Sequence, residues 1–249
     1  DEERFRELGV PADRIAMTGS IKLDVEIAPI DADTQQRLRR ELGLPPDGLV
    51  LMGSSTWPGE EIALVHSLQK LRAAGVSCNL LLVPRHAERR AEIEAELKHC
   101  GLTMNFRSQQ HAEKPVDIAI GDTTGEMRAF LQLADLVFVG KSLAPHTEGQ
   151  TPVESAVLGK PILFGTGMGN FRLIARDLVD SGAAIVVEDE SALIVTSAAL
   201  VNDTTRREQM SVAAQNWHQR NLGAVERTLE KISEILESAR DSDRIVFVT

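Results

Sequence analysis

Polar residues that suit anion binding follow apolar runs typical of buried strands. Ser54, Ser55 and Thr56 come directly after the run 49–53 and precede a helix pattern. Their hydroxyls, together with the unpaired N–H groups of a helix start, could hold a phosphate. Simple N-capping of that helix explains the same three residues equally well. The spacing therefore leaves a ligand site and a structural cap open.

Arg85 and His86 follow a second apolar run, residues 79–83, after one proline. The carboxyl ends of parallel strands line the ligand crevice of open α/β sheets, so Arg85 is predicted to point into a site. Its planar fork suits phosphate or carboxylate. An exposed Arg85 paired with Glu88 is the competing interpretation, and we favour the site. His86 is the weaker candidate, because a lone histidine is more often structural than catalytic.

Two threonine–glutamate pairs stand at predicted helix starts, Thr123 with Glu126 and Thr151 with Glu154. Their spacing matches the capping box, in which the glutamate reaches back to a backbone N–H group. Taken alone, the spacing favours capping over ligand binding at both places. The second pair follows the buried run 136–139, where a helix start also offers positive potential to an anion.

The order of apolar runs and helix-length segments predicts an α/β protein with a doubly wound parallel sheet and right-handed crossovers. Strands are predicted at 15–18, 49–53, 79–83, 103–106, 116–120, 136–139, 161–164 and 183–187. Helices are predicted at 1–8, 32–42, 58–74, 87–100, 122–134, 151–159, 171–181, 191–201, 205–220 and 224–239. The run of Leu and Val at 79–83 lacks alternation, as expected for a strand covered on both faces.

Composition excludes several classes of protein. The chain has 249 residues, 43% of them hydrophobic and 26% charged, which is ordinary for a globular protein. A net charge of −10 argues against a nucleic-acid partner, since such binding depends on cations that neutralise phosphates. Two cysteines, Cys78 and Cys100, suggest a reducing compartment. No apolar stretch approaches the length of a membrane span.

No metal site or other cofactor is predicted. The histidines lack metal-ligand spacing with cysteines or carboxylates. Residues 241–243, Asp-Ser-Asp, superficially resemble a metal-binding DxD motif. Their position in a polar tail after the last helix favours a surface turn instead.

Residues 125–178 resemble the 3-deoxy-D-manno-octulosonic acid (Kdo) transferases of lipopolysaccharide synthesis. That family has a GE(L/M) helix start, a strand reading VVFVGGSL, a GGHNPLEPA loop and helix, GKPV, and an NF segment. This chain reads GEM, LVFVGKSL, EGQTPVESA, GKPI and NF in the same order. The resemblance extends upstream through TGSIKLD at 18–24, GSSTWPGEE at 53–61 and VPRHAERR at 83–90. It covers most of the chain, and several spaced motifs in order are far more specific than one.

The chain departs from the family at several motif positions. Trp57 stands where the family usually has His, Thr151 and Ser20 where it has Asn, and residues 148–150 read EGQ before the helix. The resemblance implies a Rossmann-like C-terminal half of a GT-B glycosyltransferase. It reverses the interpretation of Glu154, which would accept hydrogen bonds from the donor's ribose hydroxyls.

The resemblance also implies a set of donor-binding residues: Ser54, Ser55, Thr56, Arg85, His86, Gly125, Glu126, Gly140, Ser142, Thr151, Glu154 and Asn170. Lys22 resembles an interdomain-linker lysine that faces the cleft, and a solvated side chain is an equally good interpretation. No catalytic residue is assigned, because the general base is expected in an N-terminal domain.

The function implied is transfer of Kdo from CMP-Kdo to a lipid A precursor at the cytoplasmic face of the bacterial inner membrane, with peripheral membrane association. The chain begins without Met, inside a helix pattern, and is therefore expected to be a fragment that binds donor but catalyses little. Residues 1–30 are predicted as interdomain segment and linker, 31–240 as the nucleotide-sugar domain, and 241–249 as a tail. The alternatives are a GT-B transferase or epimerase using a UDP-sugar and a non-catalytic nucleotide-binding module.

Overall fold

The computed structural model describes residues 2–242, which divide into two units at residues 26/27 and 217/218. The larger unit, 27–217, contains all seven strands found among the described residues. They are β1 (Leu49–Thr56), β2 (Cys78–Pro84), β3 (Met104–Phe106), β4 (Ile118–Ile120), β5 (Leu136–Val139), β6 (Ile162–Gly165) and β7 (Ala184–Val187).

Eight helices accompany these strands, and the last of them runs across the division between the units. They are α2 (Ala32–Leu42), α3 (Glu60–Ala73), α4 (Arg90–Leu97), α5 (Met127–Leu133), α6 (Val153–Val157), α7 (Arg172–Asp180), α8 (Glu190–Asn202) and α9 (Thr204–Asn221). Aspartates begin two of them: Asp31 accepts a hydrogen bond from Thr34 N at 2.7 Å and Asp189 from Ala192 N at 2.8 Å. Gly43, with φ 76°, ends α2 as predicted.

The sheet is entirely parallel, with strand order β3-β4-β2-β1-β5-β6-β7. One half contains β1 to β4, with β4 between β2 and the edge strand β3, and the other half runs outward in chain order from β5 to β7. The two halves meet where Leu51 pairs with Leu136 and Ser54 with Val139. This strand pair is the topological switch point, and in open α/β sheets ligands bind beyond the carboxyl ends of such strands. The predicted doubly wound sheet is confirmed.

The core lies on both faces of the central strands. Every residue of β2 is buried, as are all residues of β5 and β6. Helices cover both faces of the sheet, which is the arrangement predicted from the unbroken run of Leu and Val in β2. Cys78 belongs to this core as a free thiol, and its burial raises its pKa to about 11.

Element boundaries differ from the predictions where glycines and short helical turns intervene. The helix predicted from 58 begins at Glu60, because Gly59 takes φ 88° as its N-cap. The helix predicted over 87–100 is a 3₁₀ turn at Ala87–Arg89 followed by α4. In each case the element exists and its ends move by a few residues.

The smaller unit comprises residues 2–26 and 218–242 of the described chain. It contains α1 (Glu2–Glu7), α10 (Ala224–Ser242) and 3₁₀ turns at Ala12–Arg14 and Ile21–Leu23. The Asp24 carboxylate joins the N-terminal and C-terminal segments of this unit, because it accepts hydrogen bonds from Gly223 N at 2.6 Å and Val225 N at 2.5 Å. These contacts hold the linker region and the last helix together.

The strand predicted at 15–18 is wrong. The segment has no regular structure, and Thr18 instead contacts α10: its carbonyl accepts from Arg227 Nε at 3.0 Å, and its hydroxyl from Thr228 at 2.8 Å. The surface turn predicted at 241–243 is also not seen as such, since α10 continues to Ser242. Residues 243–249 lie outside the described residues, as does the edge strand or disordered end considered for 244–249.

Candidate functional site

The backbone at the switch point is strained in two places. Within residues 2–242, the non-glycine residues with positive φ are Ser55, at 54°, and Lys141, at 57°. Ser55 lies near the end of β1, and Lys141 lies just beyond the end of β5, so the two stand on neighbouring strand ends. Residues with a side chain rarely adopt a positive φ, and those that do cluster at ligand sites. The strain marks the same crevice as the topology.

Gly140 lets the two strand ends approach each other closely. A Cβ there would overlap the Ser55 carbonyl oxygen and lie 2.7 Å from Thr56 Cα. Gly140 N also donates to Ser54 O at 2.8 Å. This position therefore requires glycine because of backbone contact.

A buried carboxylate, Glu60, fastens the loops after β1 and β5 to each other. Its two oxygens accept hydrogen bonds from four backbone N–H groups, at 2.8–3.1 Å: Trp57, Lys141, Ser142 and Leu143. The residue is 1% exposed. Burial raises the pKa of the Glu60 carboxyl, and hydrogen bonds from the N–H groups oppose that rise. Glu60 is thus the organising residue of the crevice.

Glu60 is not among the residues predicted from the sequence. Its position after Pro58 and Gly59 marks a helix start, where acidic residues commonly serve only the helix dipole. The repeated Glu60-Glu61 is the one local signal. Nothing local shows that the loop whose N–H groups donate to Glu60 lies some 80 positions later in the sequence.

In the stretch Ser54–Thr56, the hydroxyls of Ser54 and Thr56 contact other side chains of the protein. Thr56 is fully buried and donates to Glu61 Oε1 at 2.8 Å, and Ser54 faces the sulfur of Met127 at 3.5 Å. Capping by these residues is wrong, since Gly59 is the N-cap of α3 and no side chain caps it. Ser55 remains half-buried at the strand end.

Ser142 is another internal tie. It is fully buried, donates to Val139 O at 2.6 Å and accepts from Gly165 N at 2.8 Å. Its hydroxyl therefore joins the loop after β5 to the end of β6. Together with Glu60, it fixes the path of the backbone beyond the switch point.

Arg85 is exposed at the end of β2, and in the described part of the chain its guanidinium has no ion-pair or hydrogen-bond partner. Arg85 forms no direct ion pair with Glu88 in the described residues. His86 makes that contact, with Nδ1 at 3.1 Å from Glu88 Oε1. A backbone hydrogen bond, His86 and the more distant charge of Arg85 all lower the pKa of Glu88. The Arg85 backbone N–H donates to Thr56 O at 3.1 Å. An uncommitted cation thus stands beside the end of β1.

A group of aromatic and cationic side chains surrounds Trp57, and we call Trp57, His86, Lys141 and His146 the Trp57 cluster. The ring centroids of His86 and His146 lie 5.3 Å and 5.9 Å from that of the indole. Lys141 Nζ lies 4.2 Å above the indole ring. The indole Nε1 is buried and has no hydrogen-bond partner within the described residues. Of these four, only His86 is a site candidate from the sequence, where Trp57 is noted as a departure from the family motif.

Glu126 begins α5 but does not form the predicted capping box. It accepts hydrogen bonds from Arg107 Nη2 at 3.1 Å and the Thr123 hydroxyl at 2.5 Å, and no side chain caps the helix. Although burial opposes the shift, these hydrogen bonds hold the pKa of Glu126 below its ordinary value. Gly125, with φ 90°, is exposed beside it. The capping interpretation fails because an arginine from another element takes the carboxylate.

Glu154 in α6 likewise binds an arginine. Its Oε1 accepts from Arg128 Nε at 2.7 Å, and both side chains are partly exposed. Thr151 accepts a weak hydrogen bond from Val153 N at 3.3 Å and is exposed. The capping box predicted here is also wrong, and the Glu154 carboxylate is held at the surface by a neighbour that a ligand could replace.

Asn170 and Lys22 are the remaining candidates. Asn170 is exposed in a 3₁₀ turn, Gly169–Phe171, and its backbone N–H donates to Glu148 O at 2.8 Å. A cavity of about 610 Å³ opens between this turn, α7 and the loop that carries His146. Lys22 belongs to the smaller unit, where it is exposed in the turn Ile21–Leu23.

Two negative findings apply to the part of the chain that the structure describes. It contains no group of three or more His, Cys, Asp or Glu side chains that could hold a metal ion. None of its helices is long and apolar enough to cross a membrane.

Comparison with curated proteins gives consistent relatives, although no family model matches the chain. The chain is 33% identical to a 3-deoxy-D-manno-octulosonic acid transferase of Bordetella pertussis over 241 residues, covering 95% of this chain and 55% of that protein. It is 30% identical to the protein of the same name from Haemophilus influenzae, covering 94% and 55%. The chain therefore spans about half the length of the curated relatives it matches.

Solved structures agree in fold. The C-terminal CMP-Kdo binding domain of WaaA from Acinetobacter baumannii matches with a TM-score of 0.67 and 25% identity, covering 76% of this chain and 97% of that domain. Anabaena HepE in complex with UDP matches with a TM-score of 0.60 and 18% identity, covering 95% and 61%. HepE supports the fold alone. The neighbours confirm a Rossmann-like α/β fold of the GT-B glycosyltransferase kind. Over the region shared with its relatives, this chain is similar in sequence to the Kdo transferases and in fold to a CMP-Kdo binding domain.

Proposed function

We propose that this chain is the donor-binding part of a Kdo transferase and that it binds CMP-Kdo. The observation that carries this proposal is its similarity to the CMP-Kdo binding domain of WaaA, which it matches over 97% of that domain. The crevice at the β1/β5 switch point is the natural place for a nucleotide, because it lies beyond the carboxyl ends of the central strands.

The predicted donor-binding residues divide by what they offer a ligand. Arg85 supplies a free guanidinium, and Glu154 supplies a carboxylate suited to ribose hydroxyls. Ser55, His86, Gly125, Glu126, Gly140, Thr151 and Asn170 border the same strand and helix ends. We assign Ser54, Thr56 and Ser142 to holding the backbone, since their hydroxyls bind within the protein.

The chemistry asked of this part of the enzyme is to stabilise charge. Positive charge develops at the anomeric carbon of Kdo as CMP leaves, and negative charge grows on the departing phosphate. Fixed donors and cations placed where charge develops lower that barrier. We propose that Arg85 serves the anionic part of the donor while Glu154 positions the ribose. No metal takes part in this scheme.

We propose that residues 1–30 link the donor domain, 31–240, to an acceptor domain that binds a lipid A precursor and carries the general base. We also propose peripheral association with the cytoplasmic face of the bacterial inner membrane. On this proposal the chain binds donor and has little activity alone. Lys22 in the linker would then face the cleft.

Calorimetry with CMP and UDP tests the proposed donor. We expect CMP to bind at least about tenfold more tightly than UDP, a difference of about 1.4 kcal/mol. Cytidine and uridine serve as matched ligands without phosphate. A preference for UDP would contradict the Kdo assignment and favour a transferase or epimerase using a UDP-sugar. Binding of neither nucleotide would indicate a module without this activity.

Replacing Glu154 with glutamine should weaken CMP binding more than it destabilises the fold. Loss of a carboxylate that accepts ribose hydroxyls is expected to reduce binding by about 1.5–3 kcal/mol. The surface ion pair with Arg128 contributes at most about 1 kcal/mol to stability. Titration of CMP and thermal unfolding are measured on the same samples, with Arg128→Gln as the control that breaks the pair alone. A change in unfolding with unchanged CMP affinity would contradict a role for Glu154 in binding.

A further inference from the structure

Lys141 is held in an unusual conformation at the switch point. Its φ of 57° is disfavoured for any residue with a side chain, yet its backbone N–H is fixed by Glu60 at 2.8 Å. The neighbouring Gly140 shows that glycine is available at this strand end. Strained non-glycine residues persist where the surrounding contacts determine them, and they gather at ligand sites.

The side chain of Lys141 is positioned by two weak interactions. Its ammonium lies 4.2 Å above the Trp57 ring, within the range of a cation–π contact. It also lies 3.5 Å from Glu148 Oε1, and the side chains of the two residues are 20% and 47% exposed. A long ion pair with an exposed carboxylate is easily exchanged for another anion. The Lys141 ammonium is therefore held in place by weak contacts and can still bind an anion.

The two histidines of the Trp57 cluster have partners within the protein: His86 Nδ1 lies 3.1 Å from Glu88 Oε1, and His146 Nε2 lies 3.0 Å from Pro58 O. His86 and His146 stand edge-on or inclined to the indole, at 5.3 Å and 5.9 Å. Arg85, next to His86 in the sequence, adds a second cation with no partner in the described chain. A chain of net charge −10 needs such a local concentration of cations to attract an anionic ligand.

We propose that Lys141 is an anion-binding residue of the crevice and that Trp57 holds its ammonium toward a phosphate or carboxylate oxygen of the ligand. Glu148 occupies the ammonium in the free protein and gives it up to the ligand. Assigning the anion to the sugar donor rests on the proposed function, whereas the anion site itself does not. Either the phosphate or the sugar carboxylate of the donor offers the required oxygen atoms.

The test titrates CMP, cytidine, inorganic phosphate and free Kdo into wild type, Lys141→Met and Glu148→Gln, following intrinsic fluorescence. Trp57 reports on the site, since the other tryptophan, Trp217, is fully buried. We expect Lys141→Met to weaken the binding of the relevant anion about tenfold, as for loss of one charge-assisted hydrogen bond. Glu148→Gln should strengthen it, because a competing anion is removed.

Comparing the four ligands shows whether the bound anion is the phosphate or the sugar carboxylate. A Lys141-dependent response to phosphate and CMP, without one to cytidine or Kdo, assigns the phosphate. A Lys141-dependent response to Kdo assigns the carboxylate. Lys141→Arg should keep most of the effect, and Lys98→Met is the matched loss of one exposed lysine. Lys141→Gly is the second variant, because glycine suits the positive φ and also lacks the ammonium.

Two outcomes would overturn the anion site. One is equal affinity of wild type and Lys141→Met, or of wild type and Lys141→Gly, for all ligands. The other is parallel weakening by Lys141→Met and Glu148→Gln with matching losses in melting temperature, which would make the pair a structural tie. If wild type binds CMP in these cases, the proposed function stands. If CMP fails to bind while phosphate or Kdo binding depends on Lys141, the site stands and the proposed function fails.

Discussion

Replacing Glu60 with alanine is expected to lower the free energy of unfolding by about 3–5 kcal/mol and to abolish nucleotide binding. The substitution leaves four backbone N–H groups without an acceptor in a site that is 1% exposed. Each unsatisfied buried donor carries a desolvation cost. The loops after β1 and β5 should then separate, and the crevice between them would lose its shape.

Urea unfolding and CMP titration measure this result. Glu60→Gln is an informative second variant, because it keeps one acceptor oxygen and places an NH₂ group against donors. It should therefore destabilise the protein without leaving a cavity. Glu94→Gln, on the exposed side of α4, removes the same charge at a site without these contacts. A loss below about 1 kcal/mol for Glu60→Ala would mean that water replaces the carboxylate easily.

Gly165→Ala should produce the next largest effect, a loss of about 1–3 kcal/mol or somewhat more from overpacking. A Cβ at this position would overlap the Ser142 carbonyl and lie 2.6 Å from Leu143 N. Both atoms belong to backbone that Glu60 and Ser142 hold in place. The loop after β5 must shift to admit one methyl group, so CMP affinity should fall together with stability.

The control for Gly165→Ala is Gly182→Ala. Gly182 has φ 79° and open space around its Cβ position, so alanine there meets conformational strain without a collision. The strain costs about 1–2 kcal/mol. Thermal unfolding should register both variants, whereas CMP titration should respond only to Gly165→Ala. Equal CMP affinity for wild type and Gly165→Ala would show that the loop after β5 does not shape the nucleotide site.

The sheet was predictable because its strands are short, apolar and separated by helix-length segments. The apolar run of β2 and the glycine that ends α2 are local signals, and each has one usual structural cause: burial on both faces for the run and a helix C-cap for the glycine. Residues 15–18 have the same apolar appearance but no strand neighbour, and the contacts of Thr18 with α10 decide their conformation. Sequence periodicity does not contain that long-range information.

The candidate site was predicted less completely, because its contacts join distant parts of the chain. Thr123–Glu126 and Thr151–Glu154 have the spacing of a capping box, yet Arg107 and Arg128 approach from other elements and take the glutamates. Each arginine offers the carboxylate a charged donor, whereas the capping box offers it a backbone N–H group without net charge. Spacing within one helix gives no warning of such competition.

Lys141 and Trp57 were missed as a pair for the same reason. They lie 84 positions apart in sequence, and only the pairing of β1 with β5 brings them together. Lysine in a Gly-Lys-Ser stretch gives no local sign of positive φ. Strain of this kind is visible only once the backbone is known.

The β1–β5 pairing also determines when a binding site can exist during folding. Strands β1 to β4 form one side of the sheet and β5 to β7 the other, so each side can gather its own neighbours before the two join. The contacts between the sides have large sequence separation, which places them late in assembly. A partly folded chain with one side formed lacks the crevice, because the crevice lies where β1 pairs with β5. On the proposed function, nucleotide should therefore stabilise the joined sheet and neither half alone, so that it acts by mass action on the final step of folding.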